Sequence, residues 1–362
     1  MQLAGTLVRR GLEASKEHGD KINIPTWGAV MLISTVVVYM FAMFTIEYTF
    51  GRVIPTLVMI ESPQDSISFE PLPTEDTDST INKDPEQPPK PELITSSFRR
   101  TLRHLGGFSS RFRGLGIFIV NALAIQWIAG MLSVLPIINV LPGAFANLVA
   151  VVVCAQLSLT WTHIVISQPS PKTWFRRLAP MKMWKKVAVP TAIFALAEQI
   201  AVYVPIYMSI FAGLGDKDAR QIADLTPGQK AAMTLKAFGI LAFGLVLTFL
   251  IVIPANVTLT RVQASLLVDT EETIVPFDRS FGGKVVPEIV GGSGMIGMLD
   301  AWKTFDWAAR MRLIKTYLKV LGMQMAVSFL FTMFLVSQLF IIAGSDWSKL
   351  VPEDGDQNKL SL

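Results

Sequence analysis

Glu198 is the first residue whose type and setting invite chemistry. It stands well inside an apolar run over residues 187–213, and an ionised carboxylate at that depth is costly unless it faces protein, water or a cation. Counting the same distance from the same surface along the neighbouring runs lands on Gln126 and Gln156, so the three side chains are expected in one layer near mid-bilayer. Gln199, Tyr39 and Ser328 fall near that depth too. Pro190 and Pro205 flank Glu198; each removes a backbone donor and is expected to kink the helix, exposing carbonyls. Two chemistries fit this set. One is a conduction or binding site around a titratable carboxylate. The other is interhelical glue, in which a protonated Glu and two Gln hydrogen-bond across a packed bundle for about 1 kcal/mol each.

Other motifs carry less. Gly292, Gly294 and Gly297 satisfy the GxGxxG spacing, but a dinucleotide site needs a strand before it, a long helix after it and a larger βαβ sheet around it. A loop tethered between spans has little room for these, and the segment reads as a flexible hinge. Cys154 is the one cysteine, so no disulfide or CxxC pair forms within a chain, and its place in an apolar run favours a small buried hydrophobe. His18, His104 and His163 are too scattered for a metal motif. No Gly-x-Ser-x-Gly elbow or HExxH helix is present. The expectation is a chain that is not an enzyme and uses no cofactor and no metal. Asn147, His163, Asn256, Gln324 and Gln338 lie nearer the ends of the apolar runs, where water and headgroups are expected to satisfy them.

These residues must be positioned by membrane spans. Apolar runs cover residues 27–50, 114–140, 143–168, 187–213, 231–257 and 318–343, and each meets the roughly 20 residues a helix needs to cross a hydrocarbon core about 30 Å thick. The composition agrees: 51% hydrophobic, 17% charged, mean hydropathy +0.46. The expected fold is an all-α integral membrane protein, a bundle of six transmembrane helices. Its parts are an amphipathic N-terminal segment (1–26), the first span (27–50), a loop (51–113), a five-helix membrane domain (114–343) and a polar tail (344–362). The first loop is acidic and Pro-rich over 61–92, with too little apolar surface to offset ordering entropy, and is expected to be disordered. Thr226-Pro-Gly-Gln229 has the hydroxyl cap, early proline and Gln of a helix start, which places Lys236 about two turns into the fifth span, within snorkelling reach of the headgroups.

Lysine and arginine favour one side. The first, third and fifth loops hold more than twice as many as the termini and the even loops together, which places the three basic loops in the cytosol. Arg99, Arg100 and Arg103, then Trp174, Arg176, Arg177, Trp184, Lys185 and Lys186, mix cations with indoles, a composition suited to anionic headgroups. Nucleic acid is the competing reading of such a mixture; the setting between spans, with no binding fold, argues against it. In the fifth loop Met295, Met298, Trp302, Phe305 and Ala309 recur at helical spacing and predict an amphipathic interfacial helix before the last span.

The run IPANVTLTRVQASLLVDTEETIVPFDRSF (253–281), with WTHIVIS and AVYVPIYM before it, resembles a group of filamentous-fungal multi-pass membrane proteins. The resemblance covers residues 114–343. It implies a fungal endomembrane protein and transfers no functional residue. The expectations that follow are a non-enzymatic scaffold or assembly factor in the endoplasmic reticulum or another endomembrane, the alternative membrane being the mitochondrial inner one. The alternative function is a transporter or channel for a small solute or cation, with Glu198 in the pathway. The absence of an evident internal repeat favours the scaffold.

Overall fold

The computed structural model describes residues 25–62, 93–134, 143–215, 221–222 and 224–343. The N-terminal segment, the acidic part of the first loop and the C-terminal tail fall outside the described residues. The described residues are helical with no strand; one antiparallel bridge joins Ser167 to Thr273. The longest helices are α1 (Thr26–Ile60), α3 (Leu115–Val134), α6 (Trp184–Phe211), α7 (Pro227–Ser265) and α9 (Trp307–Ala343). Between them lie α2 (Phe98–Leu105), the pair α4 (Gly143–Val153) and α5 (Ala155–Ile166), and the short α8 (Met298–Lys303). Five helical stretches are long and apolar enough to cross a membrane, and six if α4 and α5 count as one broken span.

Local chemistry explains several boundaries. Thr226 and Gln229 form a reciprocal capping box at the start of α7, as their spacing predicts. The run expected as one straight third span breaks at Cys154, where α4 and α5 meet at 57°. The Trp184 indole N–H donates to the Val152 carbonyl just before that break, at 2.9 Å. The first helix continues past residue 50, through a π-helical stretch (Ile46–Val53), to Ile60. A second π-helical stretch (Thr248–Val252) lies in α7. Each precedes a proline, Pro55 or Pro254, whose missing N–H leaves a carbonyl one turn back without its usual partner; a widened turn accommodates this. By contrast α6 runs unbroken through Pro190 and Pro205, the expected kink sites.

The chain divides into two compact units. One comprises Met1–Glu47 with Val320–Leu362, and its described part is an antiparallel pair made of the first part of α1 and the last part of α9. Thr35 accepts from the Gln338 amide at 2.7 Å, Tyr39 shares a 3.1 Å hydrogen bond with Ser328, and the Tyr39 and Phe331 rings stack at 4.0 Å.

The other unit, Tyr48–Lys319, has its core where the first, third and fifth loops meet the helix ends. Every residue of Ile54–Ile60 is buried. Ile54, Val58 and Met59 pack with Ile253, Val257, Phe305 and Leu313; Leu57 and Ile60 pack with Leu105, Ile166, Ala264 and Val275. Farther along the shafts the side chains are apolar and open: Trp127 is 69% exposed and Phe238 67%. Helices apolar on all sides, with little of that surface covered by protein, suit lipid as solvent.

The expected interfacial helix is not a free amphipathic surface. Its stretch forms the six-residue α8 and the first turn of α9, and Ile296, Ala301, Phe305 and Ala309 are buried in the protein core. The same apolar spacing serves a core as well as a membrane surface, which is why the sequence alone did not separate them.

Candidate functional site

The loop end of the larger unit is held by buried polar side chains. Arg261, near the end of α7, is 6% exposed. It donates to the Met59 carbonyl at 2.9 Å and the Thr304 hydroxyl at 2.9 Å, with its guanidinium over the Phe281 and Phe305 rings at 4.7 and 5.4 Å. Phe281 has φ +50, in the left-handed region, and such a backbone persists only where the surroundings determine it. They do so here. The Asp278 carboxylate accepts from the Ser280 hydroxyl at 2.6 Å and from the N–H groups of Ser280 and Gly282 at 2.9 and 2.7 Å, closing the turn that carries Phe281. Burial pushes the Asp278 carboxyl up, but those hydrogen bonds together outweigh it and hold the group below the ordinary aspartate range.

Glu61 terminates α1 with its side chain fully buried. It accepts from the N–H groups of Ile94 and Thr95 at 2.6 and 3.2 Å and from the Thr95 hydroxyl, and Arg312 stands 3.8 Å away. Gln263 accepts from the Thr162 hydroxyl at 2.6 Å and donates to Ser158 at 3.2 Å, while His163 meets the Gln263 carbonyl at 2.8 Å. Arg177 pairs with Glu271 at 2.8 Å and donates to the Ser167 hydroxyl.

The glycine-rich segment is closed on itself. The N–H groups of Gly292 and Gly294 donate to the carbonyls of Pro287 and Val286 at 3.1 and 3.0 Å, so they are not free to cradle a phosphate. A Cβ at Gly292 would lie 2.2 Å from the Val286 oxygen, so a tight turn requires glycine there. Lys186 ties the turn to α6 by donating to Glu288 and to the Ser293 carbonyl. The Lys186 hydrogen bond, aided by its charge, holds the Glu288 carboxyl below the usual glutamate range.

The proposed intramembrane layer is not assembled as one cluster. Glu198 is half-buried in α6, and Arg52, in the π-helical stretch of α1, is close enough to act on it electrostatically. Arg52 also lies 5.2 Å from the Phe118 ring centroid. Gln126 is exposed on α3, and Gln156 donates to the Ala179 carbonyl of the third loop. Among the described residues no hydrogen bond links these three side chains. Counting depth along the chain holds for straight helices, and the break at Cys154 shifts Gln156 toward the loop. Residue order alone does not bring Arg52 to Glu198, because the apolar run that ends at residue 50 leaves Arg52 outside it.

The polar residues expected to meet water at the span ends mostly have protein partners instead. Gln324 donates to Glu47 at 2.9 Å, Gln338 to Thr35, and Asn256 to the Tyr317 hydroxyl at 3.2 Å.

The predicted surface cations and indoles divide into two groups. Arg99, Arg103, Arg176 and Lys185 are exposed, whereas Arg100, Trp174, Arg177, Trp184 and Lys186 are partly buried. Ser97, Arg99, Arg100, Arg103 and His104 line a depression of about 480 Å³ beside α2. A second cleft, of about 340 Å³, opens where the start of α3 meets the third loop; Arg113, Lys172 and Arg177 line it together with Leu115, Gly116 and Trp174. Among the described residues, no three His, Cys, Asp or Glu side chains converge to hold a metal ion. No known family model matches the chain, and no curated protein matches it either.

Proposed function

We propose that this integral membrane protein is a non-enzymatic scaffold or assembly factor of an endomembrane, with the loop end of its larger unit as the working part and the spans as its anchor. The observation that carries this reading is how the polar side chains are used. Arg261, Glu61, Gln263 and Arg177 are committed to holding loops and helix ends together, while exposed Arg99, Arg103, Arg176 and Lys185 give that end a basic outer face. A rigid basic platform at helix ends suits anionic headgroups and the acidic surfaces of partner proteins. The positive-inside rule puts this end in the cytosol.

The Glu198–Arg52 proximity favours one second reading, a small-solute or cation transporter with Glu198 in its path. Proteoliposomes containing the purified chain separate the two. The scaffold reading expects no proton or cation flux above protein-free vesicles, with Glu198→Gln leaving folding unchanged. Flux that Glu198→Gln abolishes while the protein stays folded would overturn the scaffold and establish the transporter.

A further inference from the structure

We propose that the cleft between the start of α3 and the third loop binds the phosphate of one anionic phospholipid, whose acyl chain lies along Leu115 and Trp174 toward the α3 shaft. This rests on the reading above that the basic loop end meets the headgroups.

Charge selects the ligand. Arg113, Lys172 and Arg177 line the cleft, and Glu271 neutralises Arg177. That leaves two uncompensated cations. The Arg113 guanidinium donates through one nitrogen to the Ile164 and Ser167 carbonyls, which fixes it at the cleft wall. Lys172 is exposed, and its ammonium has no partner among the described residues. Ser109 and Ser110 also line the cleft. Leu115, Gly116 and Ile117, which begin α3, line the cleft too, and the first N–H groups of a helix have no acceptor inside it. Fixed guanidinium, mobile ammonium, hydroxyls and free amides together suit a phosphate.

Continuity with the shaft selects a lipid over a free anion. The apolar wall runs from Leu115 along α3 to side chains that are open on its surface, Ile119 at 44% and Leu123 at 64% exposed. A phosphate seated in the cleft therefore has a path for an attached chain. Gly116 keeps the cleft open: a Cβ there would sit 3.4 Å from the Trp174 ring, and a larger side chain would fill the space.

The test uses the full-length chain in a neutral detergent, titrated with dioleoyl phosphatidic acid and read by native mass spectrometry. One lipid should be retained per chain, dioleoyl phosphatidylcholine should not be, and equimolar inorganic phosphate should not displace the bound lipid. Lys172→Gln should weaken retention about tenfold, the scale of one charge-assisted contact. Gly116→Leu should abolish it, while Lys284→Gln, exposed in the fifth loop and outside the cleft, should leave it unchanged. Lys172 and Gly116 are both exposed, and unchanged melting temperatures check that loss of binding in these variants is not loss of structure. Equal retention of phosphatidylcholine, retention unaffected by both cleft variants, or displacement by inorganic phosphate alone would each overturn the proposal. A depth-sensitive label at Phe175→Cys, in a Cys154→Ser background in nanodiscs, separates the two levels. Headgroup depth without retention overturns only the lipid site, whereas a label in bulk water overturns the headgroup reading and the site with it.

Discussion

The helix pair of the smaller unit and the loop end of the larger one both bury polar side chains, but in different ways. In the helix pair the contacts are mostly neutral and single: Thr35 with Gln338, Tyr39 with Ser328. At the loop end they include charges, each with several partners, as at Arg261 and Glu61. The difference follows from what each region offers. Regular helices satisfy their own backbone, so only side chains remain to pair, and a charge between them would lack enough partners. Loops and helix ends leave carbonyls and amides unsatisfied, and a buried guanidinium or carboxylate can meet two or three at once. At the loop end the leftover backbone is what meets the buried charges.

The sharpest way to break this comparison is Arg261→Met. It takes the donor away from the Met59 carbonyl and the Thr304 hydroxyl and removes the cation from between two rings. The lost partners and ring contacts together predict a destabilisation of about 3–5 kcal/mol. Arg261→Lys keeps the charge but not the fork of donors, and should recover less than half of the loss. Thermal unfolding in detergent measures both. A cost below about 1 kcal/mol for Arg261→Met would mean that the loop end is held by apolar packing alone.

Gln338→Leu probes the other side. Gln338 is 1% exposed and gives one hydrogen bond to Thr35, with its own Oε1 unpartnered. Interhelical hydrogen bonds in a membrane are worth about 1 kcal/mol, so the loss should be of that order, and Thr35→Val should add little to it. A loss as large as that of Arg261→Met would erase the distinction between the two regions.

The helical membrane class was legible because apolar run length is a direct physical demand of the bilayer, and the α7 start was legible because a capping box is local in sequence. The loop-end core was not. Glu61 reads as the first residue of an acidic loop, and its role depends on the amides of Ile94 and Thr95, more than thirty residues away. Arg261 reads as a flanking positive charge, and its burial depends on Phe281 and Thr304 folding back over it. Pro55 and Pro254 are a local signal of the loop-end core: each follows Val-Ile at the end of an apolar run, and each marks where a span passes through a π-helical stretch into the buried core. For the site the sequence supplied composition more than geometry. It marked Arg177 and Trp174, but the cleft they share with Arg113 and Lys172 depends on how the third loop folds against α3.

The smallest expected effect tests whether the turn supporting Arg261 is itself held by charge. Asp278 is exposed, yet hydrogen bonds keep its carboxyl below the ordinary aspartate value of 3.8. A carboxyl whose folded-state value is depressed stabilises the fold fully above the unfolded value, and that contribution is lost as pH falls through the folded one. The turn over residues 278–283 should therefore hold from neutral pH down to about pH 4 and loosen below it. Because the carboxyl is solvent-exposed, the change should be only a few-fold in local amide exchange. Asp278→Asn retains an acceptor oxygen but cannot titrate, so its exchange over the turn should be faster at neutral pH and flat across the same window. Exchange of Gly282 and Phe281 measured between pH 6 and pH 3, corrected for intrinsic rates, decides it. If the wild type and Asp278→Asn share one profile, the left-handed Phe281 is held by its packing on Arg261 and not by the carboxylate, and the dependence runs from the guanidinium to the turn.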